Sequence, residues 1–116
     1  MTVQPQLALV VEDEGLQRAA LASVLRAEGM DVIECESAEA AELLLCRVGP
    51  ELSLLVTDVT LAGRLTGVEL AEFARVRAPQ ARTIVVSGQT GVALPHGVSF
   101  LQKPFLPEEL LRIATV

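Results

Sequence analysis

Aromatic and basic residues are scarce in this 116-residue sequence, which contains no tryptophan, no tyrosine and only three phenylalanines. Nine lysine and arginine residues stand against fifteen aspartate and glutamate residues, so the formal net charge is −6. Proteins that bind nucleic acid usually present a basic surface and aromatic rings on which the bases stack. The composition therefore disfavours nucleic acid as a direct partner.

The sequence also lacks the apolar run of about 18 residues that a membrane-spanning helix needs. Its N-terminus has no basic segment of the kind that begins a signal peptide. We therefore expect no membrane insertion and a cytoplasmic location. Two cysteines, Cys35 and Cys46, are too few for a disulfide framework or a zinc site, and we expect both to be buried or half-buried thiols.

Apolar runs typical of strands alternate with helical patterns along the whole chain. Three of the five runs lack polar alternation, as expected of strands that are covered on both faces of a parallel sheet. The predicted strands are 7–11, 31–35, 52–57, 83–86 and 99–101. The predicted helices are 15–28, a segment capped by Ser37 and stopped by Gly49-Pro50, 67–77, and a segment that begins at Pro107. The alternation predicts one α/β domain over residues 1–116 with a doubly wound parallel sheet.

Polar residues lie where the predicted strands end, at the edge of a doubly wound sheet where ligands bind. Glu12 and Asp13 follow the first strand, Asp58 the third, Ser87 the fourth and Lys103 the fifth. Lys103 is the only lysine of the chain. The three carboxylates and one ammonium sum to a charge of −2, which one Mg²⁺ would neutralise. Because hard oxygen ligands suit Mg²⁺ better than zinc, the pattern predicts a magnesium site at this edge.

This set of side chains suits phosphoryl transfer. An aspartate carboxylate can attack phosphorus and form an acyl phosphate. A metal ion and the lysine would neutralise the charge on the phosphoryl oxygens, and the Ser87 hydroxyl would donate a further hydrogen bond.

Four short motifs at the strand ends carry a family resemblance. They are VVEDE, LLVTDV, TIVVSG and FLQKPF, in this order along the chain. In this combination the sequence resembles the response-regulator receiver domains, the phosphoacceptor partners of histidine kinases, over essentially its whole length. The resemblance implies a five-stranded flavodoxin-like (CheY-like) sheet with strand order 2-1-3-4-5.

The resemblance also implies which residues receive the phosphoryl group and hold the metal. Asp58 matches the phosphorylated aspartate. Glu12 and Asp13 match the acidic pair, with Asp13 as a direct ligand of Mg²⁺ and Glu12 acting through water. Thr60 matches the position whose backbone carbonyl completes the metal shell.

Further matches concern the response to phosphorylation. Ser87 matches the hydroxyl that turns toward the phosphoryl group, and Lys103 matches the family's lysine. The bond from Lys103 to Pro104 resembles the family's cis peptide bond. Phe100 occupies the aromatic switch position.

Two segments depart from the family's pattern. The loop after Asp58 reads VTLAGRLTG, which lacks the usual proline and has one extra residue before Gly67. The segment 87–103 is shorter than usual, and two glycines and a proline within it oppose a regular helix. We therefore predict that the fourth helix of the family is shortened or absent.

The resemblance implies a phosphoacceptor of a two-component phosphorelay. Asp58 would take a phosphoryl group from a phosphohistidine on a histidine kinase or a histidine phosphotransfer protein, with Mg²⁺ bound, and the domain would then switch its protein contacts. The resemblance thus implies a signalling domain and not an enzyme. A stand-alone regulator is the simplest account.

Other interpretations stay open. The alternatives are a receiver from a hybrid histidine kinase or larger regulator, and a receiver-like binding module that does not turn over phosphate. Haloacid-dehalogenase-like phosphatases also use an aspartate nucleophile with Mg²⁺, but Thr60 stands where their second aspartate belongs. Asp13, taken alone, is as consistent with a helix cap.

Overall fold

The five apolar runs form one parallel sheet in the computed structural model, which describes residues 5–61, 63 and 65–115. The strands are β1 Leu7–Val11, β2 Asp31–Cys35, β3 Leu52–Asp58, β4 Arg82–Ser87 and β5 Ser99–Gln102. They lie in the order β2-β1-β3-β4-β5, which confirms the predicted topology. The last three strands are each longer by one or two residues than the sequence indicates.

Within the described residues, the sheet is accompanied by four α-helices. They are α1 Gly15–Ala27, α2 Ala38–Val48, α3 Gly67–Arg77 and α4 Pro107–Ala114, and a 3-10 turn, Gly49–Glu51, follows α2. The Ser37 hydroxyl caps α2 by accepting a hydrogen bond from the N–H of Ala40 at 3.2 Å, as predicted.

Helix α1 is capped by Glu14. Its carboxylate accepts hydrogen bonds from the N–H groups of Leu16, at 3.3 Å, and Gln17, at 2.9 Å. These bonds satisfy two of the donors that a helix leaves free at its first turn. Asp13 is therefore not needed as the cap of this helix.

Residues 88–98, between β4 and β5, form no helix. Gly91 and Gly97 adopt φ angles of +73° and +85°, which lie outside the right-handed helical region, and Pro95 between them has no N–H to donate. The prediction of a missing fourth helix is confirmed. The other departure from the family, the loop after Asp58, includes Ala62 and Arg64, which lie outside the described residues.

Apolar layers cover both faces of the sheet. In β1, Leu9 and Val11 pack with residues of α2 and α3, whereas Ala8 and Val10 pack with residues of α1 and α4, and all four are fully buried. This two-sided burial explains why the sequence of β1 shows no polar alternation. No helix in the described part of the chain has the length and apolar composition to cross a bilayer.

The two thiols differ in burial. Cys35 is buried at the end of β2, as expected, but Cys46 is exposed, so the prediction for Cys46 is wrong. Leu45 takes the inward position of α2, and the next residue of a helix points about 100° away from it.

Backbone hydrogen bonds join the carboxyl ends of neighbouring strands. The N–H of Glu12 donates to the carbonyl of Cys35 at 3.0 Å, that of Val59 to Val86 at 3.1 Å, and that of Lys103 to Ser87 at 2.8 Å. Side chains that follow β1, β3 and β5 are thereby held at one edge of the sheet.

Gly67, the first residue of α3, lies directly against the backbone of Asp58. A Cβ atom at this position would be 1.8 Å from the carbonyl oxygen of Asp58, and the N–H of Gly67 donates to the carbonyl of Val59 at 2.9 Å. Only glycine lets α3 begin this close to the end of β3.

Gly67→Ala is expected to lower the free energy of unfolding by about 3 kcal/mol, because the added methyl group forces α3 away from Asp58. Gly88→Ala is the matched control: nothing lies within 4 Å of its Cβ position, so a change below about 0.5 kcal/mol is expected. Urea denaturation of both variants measures the difference. Equal stability of the two would contradict the close approach of Gly67 to Asp58.

Candidate functional site

Asp58 lies at the end of the central strand β3 and is 9% exposed. The N–H of Thr60 donates to its Oδ1 at 3.0 Å, and the ammonium of Lys103 lies 2.5 Å from its Oδ2. Both oxygens of the carboxylate therefore have a donor, as a buried ionised group requires.

Lys103 reaches this carboxylate from the turn between β5 and α4. Its peptide bond to Pro104 is cis, as the family resemblance implies. The ammonium also lies 2.8 Å from Oε1 of Gln17 and 3.4 Å from Oε2 of Glu12. One cation thus joins residues from the ends of β1 and β3 and from the first turn of α1.

Glu12 is the second buried carboxylate of the site, and it is 2% exposed. Its Oε1 accepts a hydrogen bond from the N–H of Glu14 at 3.2 Å. Burial, and then the proximity of Asp58, raise the pKa of Glu12 to about 7, against the opposing effects of the Glu14 N–H and of Lys103. Protonated and ionised forms of Glu12 therefore coexist near neutral pH in the metal-free site.

The other two groups of the cluster are charged near neutral pH. Burial alone would raise the pKa of Asp58, but its hydrogen bonds with Glu12 and Lys103 hold that pKa below its ordinary value, and the Thr60 N–H acts in the same direction. Burial works against the ammonium of Lys103, yet its contacts with Asp58 and Glu12 raise its pKa. Asp58 is therefore an ionised carboxylate beside a protonated lysine.

Among the predicted metal-site residues, Glu12 and Asp58 come together and Asp13 stays apart. The Asp13 side chain is exposed and makes no hydrogen bond or ion pair with any described residue. Thr60 contacts Asp58 through its backbone N–H, while its side chain is exposed.

The two predicted switch residues lie in β4 and β5. Ser87 is 3% exposed and its hydroxyl oxygen accepts a hydrogen bond from the N–H of Gln89 at 2.9 Å. It follows Val86, which pairs with Asp58 across the sheet. Phe100 pairs with Val85 and is half-buried.

Two residues of α1 that the sequence did not single out contact the site. Gln17 accepts from Lys103, and Arg18 donates to the backbone carbonyl of Glu12 at 2.9 Å while its Nε lies 3.6 Å from Glu34. Both lie in the first turns of a helix that starts at the functional edge of the sheet. This position in the helix was the one feature of the sequence that could have indicated their role. It does not distinguish Gln17 and Arg18 from the residues next to them.

Comparison with known proteins places this site in a family. The family model of the response regulator receiver domain matches residues 8–115. The chain is 30% identical over 117 residues to the two-component response regulator ORR6 of Oryza sativa subsp. japonica, covering 92% of this chain and 68% of that protein. It is 37% identical over 102 residues to an imidazole-4-carboxamide isomerase of Thermus thermophilus, covering 83% of this chain and 42% of that protein.

Solved structures agree with the family model. The receiver domain from the hybrid histidine kinase CckA is 32% identical, with a TM-score of 0.81, and the match covers 91% of this chain and 93% of that one. The chain belongs to the response regulator receiver domain family of two-component systems. The isomerase similarity spans less than half of that protein, and no isomerase activity is carried over from it.

The donors of the site fit a hard divalent cation, and receiver domains generally bind Mg²⁺ at their phosphorylation site. The described residues include no set of three or more His, Cys, Asp or Glu side chains already arranged around a metal position. However, Glu12 and Asp58 are neighbouring buried carboxylates that share one ammonium, and the next carboxylate along the chain, Asp13, is exposed. Oxygen donors of this kind are the ligands that Mg²⁺ prefers.

The raised pKa of Glu12 predicts how the stability of the metal-free chain depends on pH. A carboxyl group whose pKa is higher in the folded state stabilises the fold fully below its unfolded value of 4.5, and this contribution is lost as the pH rises through about 7. Glu12→Gln removes the ionisable group, so the variant does not lose stability in this way as the pH rises. We therefore expect the variant to gain stability relative to the original chain between pH 4.5 and 7, by roughly 3 kcal/mol.

Denaturation curves with a chelator present, recorded at pH 5 and pH 8, measure this gain. Glu72→Gln, an exposed position on α3, is the control and should show the same small effect at both values. A gain for Glu12→Gln that does not grow with pH would show that Glu12 is ionised throughout this range.

Proposed function

We propose that Asp58 is the phosphoacceptor of a two-component phosphorelay and that residues 1–116 form one receiver domain. The supporting observation is the contact between a buried, ionised Asp58 and the protonated Lys103 at the end of the central strand. The donor would be a phosphohistidine on a histidine kinase or a histidine phosphotransfer protein, in the cytoplasm. The domain is itself the acceptor of the phosphoryl group, so we propose a signalling component and not an enzyme.

In the transfer step, a carboxylate oxygen of Asp58 attacks phosphorus while the nitrogen–phosphorus bond of the phosphohistidine breaks. The electron pair of that bond stays on the imidazole, and the product on this chain is an acyl phosphate. The lowered pKa of Asp58 keeps the nucleophile ionised, and the ammonium of Lys103, beside it, can donate a hydrogen bond to a phosphoryl oxygen and offset its negative charge.

Glu12, Asp13 and Asp58, together with the backbone carbonyl of Thr60, are the groups that would hold Mg²⁺. The bound ion would neutralise charge on the phosphoryl oxygens. Asp13 is exposed and has no partner among the described residues, so its carboxylate is available for this role without breaking an existing contact.

The phosphoryl group would bias the contacts of Ser87 and Phe100. It adds roughly −1.5 to −2 charges beside Lys103. The Ser87 hydroxyl, now an acceptor for the Gln89 N–H, would donate to a phosphoryl oxygen instead. A complete shift from 1:99 to 99:1 needs about 5.5 kcal/mol, a large demand on these contacts, so we propose a partial shift that a partner completes.

The likeness to a receiver domain from a hybrid histidine kinase favours a second context for the same function. In that context, the domain is part of a larger kinase or regulator and receives its phosphoryl group from a neighbouring domain. The chain spans 68% of the rice regulator and 42% of the isomerase. These shares are compatible both with a separate regulator and with a domain of a larger protein.

Labelling with acetyl phosphate tests the phosphoacceptor directly. Incorporation should require Mg²⁺ and should fall by at least about a hundredfold in Asp58→Asn, because an amide is not a nucleophile toward phosphorus. Asp13→Asn should slow incorporation at low Mg²⁺ and recover partly as Mg²⁺ is raised. Asp31 is the remaining aspartate of the chain and is exposed. Asp31→Asn is therefore the matched control and should be labelled at the original rate.

Two outcomes would contradict the proposal. Labelling that survives in Asp58→Asn would move the acceptor to another residue. A folded chain that is never labelled, at any Mg²⁺ concentration, would instead be a receiver-like module that acts through protein contacts alone.

A further inference from the structure

Gln17 contacts the site, and no part of the proposed mechanism uses it. It lies in the first turn of α1, and its Oε1 is 2.8 Å from the ammonium of Lys103. An ammonium only donates hydrogen bonds, so the oxygen of the Gln17 amide, and not its nitrogen, must face Lys103. The contact therefore fixes the orientation of the Gln17 amide and, at the same time, the position of the Lys103 ammonium.

The ammonium of Lys103 has three N–H donors, and it has three oxygen neighbours among the residues that the structure describes. Asp58 lies at 2.5 Å, Gln17 at 2.8 Å and Glu12 at 3.4 Å. Two of these neighbours are carboxylates that also serve the proposed metal and phosphoryl chemistry, so their bonds to the lysine must change during the reaction. Gln17 is the neutral neighbour, and nothing in the proposed reaction alters it.

We propose that Gln17 is a positioning residue, whose amide oxygen holds the ammonium of Lys103 beside Asp58 before and after the phosphoryl group arrives. A neutral acceptor can do this without competing for the cation as a carboxylate would, and without repelling an incoming phosphoryl group. The consequence for phosphorylation rests on the proposed function, whereas the holding of Lys103 does not.

The single lysine of the chain makes this contact measurable without any phosphorylation. An acetylating reagent reacts only with the neutral amine, so at fixed pH it modifies Lys103 more slowly the more firmly the ammonium is held by its oxygen neighbours. Mass spectrometry of the peptide that contains residue 103 reads this rate, and Lys103→Arg identifies the signal. Chemical denaturation of each variant confirms that it folds.

Gln17→Met removes the acceptor at nearly constant length and should raise the acetylation rate of Lys103 by about threefold to tenfold, the effect of losing one solvent-exposed hydrogen bond of ordinary strength. Gln17→Glu restores an acceptor and should return the rate to the original value or below it. Ser23→Ala, an exposed position farther along α1, is the control and should leave the rate unchanged. An unchanged rate in Gln17→Met, or an equal rise in both Gln17 variants, would overturn the proposal.

The labelling rate of Asp58 with acetyl phosphate supplies the second readout. Gln17→Met should slow labelling by about threefold because Lys103 is less well placed, and Gln17→Glu should slow it as well because its charge repels the phosphoryl group. An unchanged labelling rate in both variants would show that Gln17 has no role in the phosphorylation of Asp58. If the original chain is not labelled at all, the proposed function fails, while the acetylation rates still decide whether Gln17 holds Lys103.

Discussion

The contact of two buried carboxylates with one ammonium is the interaction on which the site depends. Glu12 and Asp58 follow neighbouring strands of a parallel sheet, so the fold brings their charges to the same edge. Two unit charges about 5 Å apart repel by roughly 3 kcal/mol at an effective dielectric constant of 20. Lys103 offsets part of this repulsion, and the part that remains adds to burial, the largest cause, in raising the pKa of Glu12.

The connection between β4 and β5 is short, and the strand ends that carry the site keep their arrangement without a helix there. Eleven residues, 88–98, join β4 to β5 without a helix, yet Ser87 and Lys103 are still joined by a backbone hydrogen bond of 2.8 Å. Val85, on β4, stays fully buried. The loss of a helix therefore changes the outer surface beside β4 and β5 and leaves the arrangement of the strand ends intact.

The amino-acid sequence predicts the fold of this chain well because its strands are short, the three central strands are apolar on both faces, and the helix boundaries are clear. Helix α3 begins and ends at the predicted residues, and Asp58, Glu12 and Lys103 meet where the strand-end rule places them. The contacts of Gln17 and Gly67 were not predictable, since the first depends on a side-chain rotamer and the second on the close approach of two backbone segments. The side-chain position of Asp13 was not predictable either, since it too depends on a side-chain rotamer.

The position of the phosphoryl group is the most direct test of the account. After labelling with acetyl phosphate and Mg²⁺, borohydride reduces an aspartyl phosphate to homoserine, and peptide mass spectrometry locates the reduced residue. The account predicts homoserine at position 58 and at neither of the other two aspartates, Asp13 and Asp31. Homoserine at position 13 or 31, with position 58 unmodified, would contradict it.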